Sequence, residues 1–370
     1  MDVRSTCLDC ALLGPAWVYR TSSTVTVGAD GADVGAVLCA PRLQSHMRAV
    51  QYERAGDASV LQLVDLERPT PRRDEVLVAV RAASVNPVDV KRRELGTGPL
   101  PKVTGSDFAG EVVAIGEAVE GFTPGDRVCG TGLHTPRFQQ GSFAESVCVP
   151  TDVLVQLPDA IGYADAAAVA LTGVTVWRGL LDHGRLRPTD TCLIHGGTGG
   201  VGHLAVQLAS HVGATVVATA APDRMDAAAG FGADTVLSYR HEDLPEALTA
   251  AAPDGYDVVF DHRPGEYLET DARVTKFGGR IVVYSGLDTD CYLPMTALYR
   301  EQTIQLMTMS NLVTRPTAPT VASVLRRVIQ LVHSGDLTVS VARTFPLEEA
   351  RAAHRAVMED AFVGKLVVTP

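Results

Sequence analysis

Apolar and polar positions change rhythm once along this chain. Between residue 47 and about 157 the apolar runs are short, strand-like and punctuated by Gly and Pro, at 48–52, 75–80, 110–116, 125–128 and 146–149. Such runs predict a small, irregular β domain. Farther on, compact apolar runs at 191–195, 215–219, 235–237, 257–260, 280–284 and 304–308 alternate with stretches of helical period. In the first of these stretches Val201, Leu204, Ala205, Leu208 and Ala209 share one helix face. Two more cover 225–229 and 243–251, a longer helix is expected at 320–334, and a last strand at 366–369. Strand–helix–strand alternation predicts a parallel sheet with helices on both faces. Residues 1–46 show no sustained period. They are expected to be a disordered or mis-assigned extension rather than a third domain.

Composition narrows the classes. The chain has 370 residues, 46% hydrophobic, with 43 acidic against 32 basic residues and a net charge of −11. That balance argues against nucleic acid as a partner, because phosphate neutralisation needs clustered Lys and Arg. Nothing in the pattern reads as a membrane span or a signal peptide, so the expected address is the cytoplasm. Seven cysteines at scattered spacings do not form a secreted disulfide framework. Cys7 and Cys10 make a C-x-x-C with no βαβ pattern around it, and are read as a coincidental pair.

The chemistry enters with His195-Gly-Gly-Thr-Gly-Gly-Val-Gly202. Gly197, Gly199 and Gly202 fit G-x-G-x-x-G directly after a strand and at the start of a helix. Glycines there permit the tight turn and close approach of backbone to pyrophosphate, and the helix N-terminus offers N–H groups to it. The next strand ends Ala218-Thr-Ala-Ala221 without the acid that would accept from a ribose 2′-hydroxyl; Asp223, which could neutralise Arg224 or serve the ribose itself, and Arg224 follow. An arginine suits an extra 2′-phosphate, so NADPH is expected over NADH. His195 and His203, which flank the loop, are read as strand-end and helix-face residues rather than acids.

Ordered motifs now make a family resemblance. They include Ser84-Val-Asn-Pro-Val-Asp89, Gly105-Ser-Asp-Phe-Ala-Gly110, Gly125-Asp-Arg-Val128 and Gly173-Val-Thr175. The glycine loop, Val236-Leu-Ser-Tyr-Arg240, Gly278-Gly-Arg-Ile-Val-Val283 and Gly364-Lys-Leu-Val-Val368 complete the set. From Met47 to Pro370 the chain resembles the medium-chain dehydrogenase/reductase superfamily, in its zinc-free branch of zeta-crystallin-like quinone oxidoreductases. The resemblance implies an α/β fold in which a Rossmann doubly wound parallel sheet (171–311) is inserted into a GroES-like β-rich catalytic domain (47–170 and 312–370). It also implies a cleft between the two and a homodimer.

Site roles follow from the same resemblance. Thr198, Gly199, Gly200, Val201 and Gly202 would hold pyrophosphate, Arg224 and Tyr239 the 2′-phosphate, and Ser285 with Gly286 the cofactor's backbone approach. Asn86 and Thr175 would lie near the nicotinamide. Lys91 stands where many relatives have Tyr; it could bond the cofactor, stabilise a developing enolate as a cation, or be a surface lysine, which leaves the proton source open, with solvent protonation one alternative. Zinc-dependent relatives place a Cys near Pro87 to Asp89 and a His-Glu pair at Ser106-Asp107, and they carry a four-cysteine loop after Val128. Cys129 and Cys148 are read instead as core and strand residues, and no metal is expected. The implied reaction is NADPH-dependent hydride transfer to a quinone or an α,β-unsaturated carbonyl. The alternatives are an enoyl-thioester reductase and a non-catalytic nucleotide-binding or crystallin-like protein; zinc alcohol dehydrogenase is disfavoured. Loops 133–140 and 287–298 are expected to shape the substrate pocket.

Overall fold

The computed structural model describes residues 45–132, 141–286, 290, 292–309, 312 and 319–370. Residues 1–44, with Cys7 and Cys10, and residues 133–140, 287–289 and 291 lie outside the described residues, so the expectations for them are not addressed by the structure.

The chain opens with β1 (His46–Tyr52), antiparallel to β2 (Gln62–Glu67), and β3 (Glu75–Val85) follows. Helix α1 (Pro87–Leu95) starts at Asn86, with Pro87 at its first turn, where a missing N–H costs nothing. Next come β4 (Lys102–Val103), β5 (Asp107–Ile115), β6 (Arg127–Thr131), β7 (Ser146–Pro150) and β8 (Leu154–Gln156). Helix α2 (Tyr163–Trp177) runs on into a π-helical turn, Arg178–His183. This apolar run would be long enough to cross a membrane, but 78% of its most apolar window is buried inside the fold.

The second half reads β9 (Thr191–Ile194), α3 (Gly202–Val212), β10 (Thr215–Ala220), α4 (Met225–Gly230), β11 (Thr235–Ser238) and α5 (Leu244–Ala251). It continues with β12 (Tyr256–Asp261), α6 (Pro264–Val274), β13 (Thr275–Val283), α7 (Met295–Tyr299) and β14 (Thr303–Leu306). The chain then returns through α8 (Val321–Ser334), β15 (Val341–Pro346), α9 (Ala350–Glu359) and β16 (Lys365–Thr369).

Strands β9 to β14 form a sheet of order β11-β10-β9-β12-β13-β14 with every pair parallel. This is the doubly wound 3-2-1-4-5-6 order of a dinucleotide fold, and its order reverses between β9 and β12. The other large sheet, β15-β16-β3-β5-β6-β8 with β7 on β3, joins the two ends of the chain. Pairing of β16 with β3 brings Leu366 opposite Val85, beside Asn86.

Side-chain alternation explains how the parallel sheet is held. Cys192, Ile194, Val216, Ala218, Val258 and Phe260 face a large core shared with α2, α3 and the catalytic sheet. Leu193, Val217, Val259 and Ile281 face a second core under α5 and α6. A strand buried on both faces has no polar alternation, which is why these runs read as continuous apolar stretches. Each Val, Leu, Ile or Phe among them contributes roughly 1.5–3 kcal/mol by leaving water.

Candidate functional site

A cleft of about 470 Å³ lies at the reversal point, between the ends of β9 and β12 on one side and α1 and β16 on the other. Its cofactor-like wall is the turn after β9. Gly197 N donates to the Thr219 carbonyl (2.8 Å) and Gly199 N to that of Gly196 (2.9 Å), which folds the loop tightly before α3. A Cβ on Gly202 would stand 2.0 Å from the Gly196 oxygen, whereas one on Gly199 would meet nothing nearer than 3.4 Å. The loop is therefore shut on its inner side and open on its outer side, the shape a phosphate cradle needs.

Arg224, after β10, lines the same cleft. Its Nη1 donates to the Phe362 carbonyl (3.0 Å), while its Nε is buried without a hydrogen-bond partner and lies 3.6 Å from Asp223. An orphaned guanidinium donor at the cleft edge, with Asp223 turned largely to solvent, suits an additional phosphate group. Tyr239 follows β11, its N–H donating to the Ala220 carbonyl at the end of β10 (3.1 Å), and Arg240 lies over its ring. These residues fit an NADPH molecule, which would supply a hydride from its reduced nicotinamide.

The opposite wall is a buried polar network. Asn86 is 3% exposed. Its Nδ2 donates to Asp107 Oδ2 (2.9 Å) and lies 3.3 Å from Asp89 Oδ2. Asn86 Oδ1 accepts from the Lys365 ammonium, which also donates to the Val85 carbonyl (3.0 Å). Ser84 donates to Asp107 and Ser106 to Asp89. Burial pushes the Asp89 carboxyl up to about 6 and raises that of Asp107, against the pull of these hydrogen bonds and of Lys365. The same burial lowers the Lys365 ammonium, and the two carboxylates oppose the shift.

Of the residues singled out in the sequence, Asn86, Lys91, Thr175, Gly199, Gly200, Val201, Gly202, Arg224 and Ser285 line this one cleft. Thr198, Tyr239 and Gly286 are not among its lining residues. Thr198 is 4% exposed, and its carbonyl accepts from Gly364 N (2.9 Å). Gly286 has φ +74°, and a Cβ there would stand 2.5 Å from the His262 carbonyl. The Thr175 hydroxyl donates to the Leu171 carbonyl (2.9 Å), so it faces the cleft with acceptor capacity. His195 is fully buried, stacked on Tyr267 and bonded to Asp271 (2.8 Å). His203 Nδ1 bonds the Gly199 carbonyl (2.9 Å).

Sequence reasoning missed Lys365, Asp89, Asp107 and His262. Lys365 carried one signal, a lysine opening an otherwise apolar strand. The imidazole of His262, at the end of β12, lines the cleft and is held neutral by burial, its pKa pushed down to about 4.

The zinc positions of related alcohol dehydrogenases hold a different chemistry. Asp89 and Asp107 stand there with Ser106, Ser84, Asn86 and the Lys365 ammonium already bonded to their oxygens. Catalytic zinc calls for three protein ligands of the Cys, His or carboxylate kind. Among the described residues no group of three or more His, Cys, Asp or Glu side chains is placed to hold a metal. The donor set does not fit zinc.

Comparisons with known proteins agree with this architecture. Residues 72–159 match an alcohol dehydrogenase GroES-like domain, and residues 231–368 a zinc-binding dehydrogenase family. The chain is 37% identical over 258 residues to a 2-methylene-furan-3-one reductase of Solanum lycopersicum, covering 67% of this chain and 64% of that one. It is 35% identical to a chloroplastic NADPH-dependent alkenal/one oxidoreductase of Arabidopsis thaliana, covering 72% and 67%. A mycocerosic acid synthase-like polyketide synthase of Mycolicibacterium smegmatis is 32% identical over 94% of this chain, which spans 16% of that protein. Among solved structures, an NAD-dependent alcohol dehydrogenase superposes with a TM-score of 0.79 at 33% identity, covering 87% of this chain and 99% of that one. The Escherichia coli quinone oxidoreductase complexed with NADPH gives 0.78 at 26% identity, covering 87% and 100%.

Proposed function

The chain belongs to the medium-chain dehydrogenase/reductase superfamily, in its quinone-oxidoreductase branch, and we propose that it reduces quinones or α,β-unsaturated carbonyls with NADPH and without a metal ion. One observation carries the reading: the open glycine loop, Arg224 and the buried Lys365 cation line one cleft, and among the described residues no group of three or more His, Cys, Asp or Glu is placed to hold a metal. Gly199 to Gly202 would hold the pyrophosphate, Arg224 and Tyr239 the 2′-phosphate, and Ser285 with Gly286 the nicotinamide half. Thr175 and Asn86 would orient the nicotinamide and substrate, and Lys91 borders the space between them. Leu171, Met307, Met309 and Phe362 give that space an apolar lining, suited to a substrate with an alkyl or ring body.

Without a Lewis acid, an unactivated alcohol is a poor hydride partner, whereas an electrophilic alkene or quinone needs only position and charge. The direct test follows NADPH absorbance with 1,4-quinones, alkyl enones, enals and enoyl thioesters, with and without EDTA. Turnover of the first three classes, unaffected by chelator, is expected. Tight NADPH binding with no turnover across the panel would defeat the proposal, and turnover of thioesters alone would favour the alternative. Arg224→Ala removes a charge-assisted contact worth roughly 1.5–3 kcal/mol, so the KM for NADPH should rise about ten- to hundredfold and that for NADH little.

The same proposal includes a homodimer and a cytoplasmic address. Among the described residues strand β14 has a single neighbour, β13. Beside that open edge Leu298, Tyr299 and Leu306 are more than half exposed. Cell fractionation checks the address.

A further inference from the structure

The reaction proposed above consumes one proton for each hydride, and the groups near the cleft differ in whether they have one to give. Both amide hydrogens of Asn86 face carboxylates. The Thr175 hydroxyl hydrogen is spent on a helix carbonyl. His262 is held neutral by its burial.

Lys365 differs from each of these. Its side chain passes under the glycine loop, where a Cβ on Gly200 would stand 2.9 Å from Lys365 Cδ. The residue is 3% exposed and lines the cleft. Of its three N–H groups, two donate to the Val85 carbonyl and Asn86 Oδ1, which leaves one for a group in the cleft. Behind Asn86 stand Asp107 and Asp89, bonded to the amide that grips the ammonium. The charged and titratable groups that act on Lys365 are Asp107 on β5, Asp89 on α1 and His203 on α3, whose imidazole burial holds near 4 and therefore neutral.

We propose that Lys365 is the proton donor of the reaction, and that Asn86, braced by Asp107 and Asp89, is the residue that positions it. The inference rests on the enone and quinone reductase reading. Hydride addition at the β-carbon brings two electrons and moves the alkene pair towards the carbonyl, so the substrate then needs one proton and no further electrons. One Lys365 N–H bond breaks and a C–H bond forms at the α-carbon, or an O–H bond on a quinone oxygen. Nitrogen keeps the electron pair as a neutral amine and takes a proton from water after the product leaves. Desolvation makes this ammonium a better acid than a surface lysine, while the two carboxylates keep it protonated in the resting protein. Its bond to Asn86, which the functional reading places beside the nicotinamide, brings the ammonium to that end of the cleft.

The test compares wild type with Lys365→Met, Lys365→Arg and the charge-balanced pair Lys365→Met with Asp107→Asn, which serves if the single Met variant fails to fold. NADPH affinity is read by fluorescence without substrate, and the Lys365 Nζ signal by nitrogen NMR in protein free of cofactor. Reduction of an enone with a prochiral α-carbon is then run in D2O. Wild type should place deuterium on one face. The Met variant should bind NADPH within about threefold of wild type. It should also lose about 100-fold or more in kcat and scatter deuterium over both faces. Arginine restores the charge but holds its proton too tightly, so it should bind NADPH normally without recovering kcat. The NMR signal should titrate below the ordinary lysine range. Retained face selectivity in the Met variant, full rescue by Arg, or an ordinary titration would each overturn the inference alone. A loss of NADPH affinity of about tenfold or more with face selectivity intact would make Lys365 a phosphate ligand and also overturn it. A wild type that reduces no enone or quinone would overturn the functional reading, and the inference with it.

Discussion

His354 lies 1% exposed on α9, where Arg93 Nη1 donates to its Nδ1 (3.1 Å) and Phe143 meets it edge-on. A guanidinium donor at Nδ1 requires the neutral ring, and burial with that cation pushes the pKa from 6.5 down to about 3. The unfolded chain takes up this proton as pH falls through 6.5, and the folded chain does not until far lower. Stability is therefore full above 6.5 and declines towards 3. Between pH 7 and 4.5 this one residue should cost about 3 kcal/mol. His354→Gln should reduce the pH dependence by that amount in urea unfolding at the two pH values; equal losses in both proteins would refute it. Nothing in the pattern around His354 marks it, because its pKa comes from burial in the folded core and from Arg93, 261 positions away. Asn86 teaches the converse. Its type and neighbours drew notice from the sequence, but its work depends on the two carboxylates and the lysine that share its burial.

Local chemistry was enough to locate many elements. The turn from β9 into α3 was legible because each glycine answers a steric demand within a few residues. Two of them separate fold from function. Gly202→Ala drives a Cβ to 2.0 Å from backbone at Gly196, so it should lower both the Tm and NADPH affinity. Gly199→Ala makes only ordinary contact, 3.4 Å from the Gly196 oxygen, so it should keep the Tm and lose NADPH binding. Thermal unfolding and fluorescence titration read the two effects, and equal behaviour of the variants would contradict the shape assigned to the loop. Helices α1, α2 and α6 were not legible. In α2, Ala166 to Val176 are all buried, so no polar stripe marks its period. Helix α1 follows a strand through Asn86-Pro87, where the proline reads as a break although it opens the helix. Strand β2 and strand β15 are mostly exposed or half-buried, and their weak apolar content hid them.

At the scale of the molecule, the doubly wound sheet leaves β14 as an edge, and an open apolar edge invites pairing. If two copies meet there, Leu306→Arg, at a position 54% exposed, should convert a dimer to a folded monomer in light scattering. A wild type that is monomeric at micromolar concentration, or a variant that stays dimeric, would remove the proposal. The alternation of strands and helices, the glycine loop and the lack of an acid at the very end of β10 were determined by the sequence alone. Each depends on hydrogen bonds and steric contacts between near neighbours in the chain. The union of Asn86, Asp107 and Lys365 was decided by tertiary structure alone. Pairing of β16 with β3 brings the last strand beside a residue 279 positions earlier. Only there does the low dielectric of a shared interior turn an ordinary lysine and two ordinary aspartates into a coupled acid network.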